Sequence, residues 1–70
     1  MSRKMAGVKD RSEIIRELRN QLGLTQEQFA AKVGVTFSTV NRWEAGRSLP
    51  SPLAWREIER LSEVVRRTKQ

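Results

Sequence analysis

Apolar residues recur at helical spacing in four separate stretches of this chain, and none alternates as a strand requires. The first places Ile14, Ile15, Leu18 and Leu22 on one side of a helix, with Gly23 positioned to end it. Asp10, followed three positions later by Glu13, has the spacing of a capping box. The second stretch is short. Phe29, Ala30 and Val33 form the inward face of a helix over 26–33, begun by the Thr25-to-Gln28 capping pattern and stopped by Gly34. The third, over 37–44, turns Val40 and Trp43 inward, with Thr36 as its N-cap and Val35 as an apolar anchor in the turn before it. Ala45 and Gly46 stop it. The fourth starts at Ser51, with Pro52 in its first turn, and carries Leu53, Ala54, Ile58, Leu61, Val64 and Val65 to about residue 67.

This pattern predicts an all-α fold, a compact bundle of four helices, or five if the last stretch is divided. Ala30 is small, which lets its helix approach another closely. Two short helices joined at Gly34, the second with a polar outer face, have the form of a helix-turn-helix that reaches into a major groove. The expected ordered domain is 10–67. Residues 1–9 have no periodicity and carry Arg3, Lys4 and Lys9, so they read as a flexible basic arm, and 68–70 as a tail. At 70 residues the chain has room for one domain with a small core.

Charge adds a partner class to this picture. Fourteen Lys and Arg against eight Asp and Glu give +6, and ten of the cations are arginine. Such a balance attracts polyanions, and arginine suits bidentate contacts to phosphate or guanine. Basic composition alone also occurs in small domains that bind nothing anionic. Cysteine and histidine are absent, which removes disulfides, thiolate metal sites and the usual general base. With Asp10 the only aspartate, no nucleophile–base pair stands out, so neither an enzyme nor a cofactor or small-molecule ligand is expected. No apolar run approaches the ~20 residues of a membrane span, and the basic N-terminus lacks the apolar segment of a secretory signal. A reducing, cytoplasmic setting fits these features.

The stretch Leu22-Gly23-Leu24-Thr25-Gln26-Glu27-Gln28-Phe29-Ala30, then Gly34-Val35-Thr36, then Val40-Asn41-Arg42-Trp43-Glu44-Ala45-Gly46-Arg47 and Pro50, resembles the phage repressor/Cro type of helix-turn-helix domain, the xenobiotic-response-element family. The likeness runs from about Glu13 to Leu61. It implies a lambda-repressor-like bundle in which the 26–33 helix crosses the DNA backbone and the 37–44 helix lies in the major groove. Gln26 and Thr36 match phosphate-contacting positions of that family, and Arg47 a loop residue that meets the backbone. Phe37, Ser38 and Arg42 fall where relatives read bases. Arg19 and Glu44 match an internal ion pair. Phe37 is the main departure, because many relatives carry a polar residue there. It either contacts a thymine methyl or sugar, or packs into the fold.

Arg42 has guanine O6/N7 as its natural base partner and a phosphate as its alternative. Ser38 and Asn41 suit either bases or phosphates, and Lys32 a phosphate. The leading function is therefore sequence-specific binding of double-stranded DNA by a transcriptional regulator. The family's habit of binding palindromic operators as dimers implies a homodimer. The competing function is a protein-interaction or antitoxin-like module on the same scaffold. Trp55 and Val64 would then form the partner surface, whereas a Trp55 that simply closes the core argues against it.

Overall fold

The computed structural model describes residues 10–68, with side chains through residue 67. The expected arm at 1–9 and the end of the expected tail, 69–70, lie outside the described residues. Four helices follow one another: α1 (Arg11–Leu22), α2 (Gln26–Val33), α3 (Phe37–Glu44) and α4 (Pro52–Thr68). The chain is an all-α four-helix bundle of the lambda-repressor-like kind, and α4 is continuous rather than divided.

Each boundary has a local cause. Asp10 caps α1 by accepting from the Glu13 amide at 3.1 Å, and it also accepts from the Ser12 hydroxyl at 2.8 Å. In α2 the capping box is complete. The Gln28 amide donates to Thr25 Oγ1 at 3.1 Å, and the Thr25 amide donates back to Gln28 Oε1 at 2.9 Å. Thr36 Oγ1 accepts from the Thr39 amide at the start of α3, and Ser51 Oγ from the Ala54 amide at the start of α4, both at 3.2 Å. Gly34 sits at φ 91°, a left-handed value that side chains rarely tolerate. The reversal there lets both the Gly34 and Val35 amides donate to the Ala30 carbonyl, at 2.8 and 2.9 Å, which ends α2 and redirects the chain into α3.

The core draws on all four helices: Ile15 and Leu18 from α1, Phe29, Ala30 and Val33 from α2, Val40 and Trp43 from α3, Ala54 and Ile58 from α4. Leu22, Leu24, Val35, Trp55, Leu61 and Val65 pack around it. The α2 helix lies against α3, while α1 packs on both α3 and α4. The short α3 is therefore held from two sides.

Two residues of the apolar pattern in α4 are not core. Leu53 is 70% exposed and Val64 48%. The inward stripe is Ala54, Ile58, Leu61 and Val65, spaced by four, three and four, and at 100° per residue Leu53 and Val64 fall about a quarter-turn to one side. Trp55 is half-buried against the core, with the Arg11 guanidinium 4.2 Å from its ring centroid, so it closes the bundle and carries a cation–π contact.

Phe29 is fully buried at the centre, so Phe29→Ala should lose about 3–5 kcal/mol of stability in a urea titration. Leu53→Ala, on the solvent side, should change it by less than about 0.5 kcal/mol.

Candidate nucleic-acid interface

With Val40 and Trp43 inside, helical geometry turns Ser38, Asn41 and Arg42 to the opposite side of α3 and leaves Phe37, three residues before Val40, at the edge between the two sides. All four are exposed. Phe37 is 46% exposed and lies outside the core, so packing into the bundle is not its role. Arg42 is in the last turn, and no ion pair holds it among the described residues. Lys32, in the last turn of α2, and Arg47, just past α3, are likewise exposed and unpaired. On α4, by contrast, Arg60 and Arg66 are paired with Glu57 and Glu63, while Arg56 and Arg67 are in no ion pair among the described residues.

Two helix N-termini flank this surface. The Gln28 amide is bonded to Thr25 and the Thr39 amide to Thr36. Among the described residues, the amides of Gln26, Glu27, Phe37 and Ser38 remain the unpaired donors of their helix ends. The first turn of α3 contains no acidic residue, whereas that of α2 contains Glu27. The α3 end is therefore the more favourable of the two for an anion.

Behind the exposed face is a buried charge. Glu44, the last residue of α3, is 7% exposed. Arg19 on α1 grips it with two bonds, Nε to Oε2 at 2.7 Å and an η-nitrogen to Oε1 at 3.0 Å. The other η-nitrogen of Arg19 donates to the Leu24 carbonyl at 3.1 Å. Gln26 Nε2 adds a third bond to the carboxylate, at 3.0 Å to Oε1. Burial pushes the Glu44 carboxyl upward, but the bonds from Arg19 and Gln26 and the charges of Arg19 and Arg16 outweigh it, so the net position is below the ordinary value of 4.5. Arg19 is correspondingly pushed higher by the same bond.

The ion pair implied by the family resemblance is thus present, and two further members join it. Arg16 donates to the Glu44 backbone carbonyl at 2.7 Å, satisfying one of the acceptors left at the end of α3. Arg16 lies three residues before Arg19 on the same face of α1, a signal that was available in the sequence. Asn41 Nδ2 donates to Gln26 Oε1 at 3.3 Å, so α2 and α3 are linked side chain to side chain. The structure brings Gln26, Asn41, Arg19 and Glu44 together. It places Lys32 at the far end of α2 from Gln26, about 9 Å along the axis, and it puts Trp55 and Val64 on α4. Among the described residues no helix is long and apolar enough to cross a membrane.

Removing one partner should leave the other charge poorly compensated. Glu44→Gln is expected to cost about 2 kcal/mol, less than the ~3–5 of a fully buried pair, because Arg19 keeps some contact with water that screens it. A carboxyl lowered in the folded state stabilises the fold above its unfolded value, and that contribution fades as pH falls through the folded value. Urea midpoints of the wild type should therefore drop as pH falls below about 4.5. The Glu44→Gln protein should start lower and show a shallower drop.

The pattern of known sequences agrees with this architecture. Residues 15–62 match the family described as Helix-turn-helix. The chain is similar to an uncharacterized HTH-type transcriptional regulator of Methanothermobacter thermautotrophicus, with 49% identity over 47 residues, 67% of this chain and 68% of that protein. No solved structure matches. The matched span takes in α2, the Gly34 turn, α3 and the Arg19–Glu44 brace, and on that match the chain belongs to the helix-turn-helix family.

Proposed function

We propose that this protein binds double-stranded DNA in a sequence-dependent way as a transcriptional regulator of the phage repressor/Cro, xenobiotic-response-element type, with α3 in the major groove. The observation that carries the reading is the α3 surface itself. Phe37, Ser38, Asn41 and Arg42 are exposed together on a helix clamped from behind by α1 and α2. A groove-reading helix needs such a face, because base edges are reached by side chains of one short helix held at a fixed angle. The similar archaeal protein, whose name describes a regulator, supports the same reading.

Roles follow from position. The free amides at the start of α2, with Gln26, hold one phosphate, and Thr36 with the start of α3 holds another. Lys32 and Arg47 add charge without sequence information. Arg42 reads guanine, and Phe37 packs on a thymine methyl or a sugar. Two copies on a palindromic site would set their α3 helices about 34 Å apart, one turn of the duplex.

The interaction-module alternative has less support. The Trp55 face on which it depends is partly covered by Arg11, and the exposed Leu53 and Val64 share α4 with two ion pairs, Arg60–Glu57 and Arg66–Glu63.

Selection of bound sequences from a random duplex pool tests the proposal. Enrichment of a two-fold symmetric site is the expected result, and an unenriched pool would contradict it. On the enriched site, Arg42→Ala should relax preference at one base pair and cost about 1–3 kcal/mol. Lys32→Ala and Arg47→Ala should weaken all duplexes alike, each reducing the slope of log affinity against log salt by about 1.

A further inference from the structure

Gln26 and Asn41 both face the proposed DNA surface, yet they are already bonded to each other without DNA. A side-chain amide has two chemically different ends, an acceptor oxygen and a donor NH2, so a chain of amides has a direction. Here one end of the chain is fixed. Glu44 is buried and ionised, and a carboxylate can only accept. Gln26 must therefore turn Nε2 toward Glu44, which it does at 3.0 Å. That orientation brings Oε1 to Asn41, where it accepts from Asn41 Nδ2 at 3.3 Å, while the second N–H of Gln26 Nε2 takes no part in the link to Asn41. What Asn41 retains is Oδ1 and one N–H.

Resting on the reading of α3 as the groove helix, we infer that Gln26 is a positioning residue that passes the polarity of the Glu44 carboxylate to Asn41 and so sets Asn41 to select adenine. An acceptor beside one donor is the complement of adenine, whose edge offers the N6 amino group and the N7 acceptor. Turned over, the same amide would favour guanine, which offers two acceptors, O6 and N7. The fold's internal ion pair thus reaches the base edge through two side-chain bonds. The base choice of Asn41 is written in Glu44, three residues along the same helix, and in Gln26 on another.

The test compares two duplexes that differ by adenine or guanine at the position whose preference is lost in Asn41→Ala. The wild type should favour adenine by about 5- to 100-fold. Gln26→Ala and Gln26→Met, the second retaining length without hydrogen bonding, should bring that ratio to within about twofold of the Asn41→Ala value. In the Asn41→Ala background they should leave it unchanged. A uniform loss on both duplexes would make Gln26 a phosphate clamp alone and overturn the inference. A loss of discrimination that persists without Asn41 would make Gln26 itself the reader, and would overturn it too.

NMR of the free protein separates this failure from that of the function. The Asn41 Nδ2 proton resonances should move on Gln26→Met with no DNA present. If they stay in place, the relay is wrong even where duplex binding is intact. If they move but the wild type discriminates no duplex, the groove reading fails and the adenine assignment with it.

Discussion

A buried carboxylate that is fully bonded holds this small bundle in register. Glu44 closes α3, and its oxygens and backbone carbonyl are reached from α1 by Arg19 and Arg16 and from α2 by Gln26. An ion taken out of water costs several kcal/mol unless such bonds replace its hydration. Here they do, and each of them also fixes a distance between helices. The apolar core supplies the attraction, which is non-directional. The carboxylate supplies the angle. An eight-residue helix has little intrinsic stability, so the orientation of α3 depends on these contacts and on Val40 and Trp43 beneath it.

Most of the fold was legible because its punctuation is chemically explicit. Thr25, Thr36 and Ser51 each cap the helix they precede, and Gly23 and Gly34 each end one in a left-handed conformation. On α3 the outward positions of Ser38, Asn41 and Arg42 followed from Val40 and Trp43 by helical periodicity, whereas Phe37, three residues before Val40, did not. Where the reading slipped, the cause was angular. Leu53 is apolar and lies one residue off the inward stripe of α4, and composition without careful phase assigns it to the core, whereas Val64, expected at a partner surface, is exposed as that expectation requires.

The candidate site was legible in part. The Arg19–Glu44 pair came from the family resemblance, since residues 25 apart in sequence give no local sign of contact. Nothing in the sequence showed that Gln26 is bonded on both sides, to Glu44 and to Asn41, because such links depend on helix packing rather than spacing. Phe37 looked equally suited to core or surface. Its exposure removes the core option and leaves an aromatic ring at the leading position of the helix.

If α3 is the surface that meets DNA, the free protein should report it directly. Backbone amide resonances followed during titration with an enriched duplex give the most direct measurement. Shifts concentrated at Gln26–Glu27 and across Phe37–Arg42, with α4 little changed, are the predicted result. Shifts centred on Leu53, Trp55 and Val64, with α3 silent, would contradict the account.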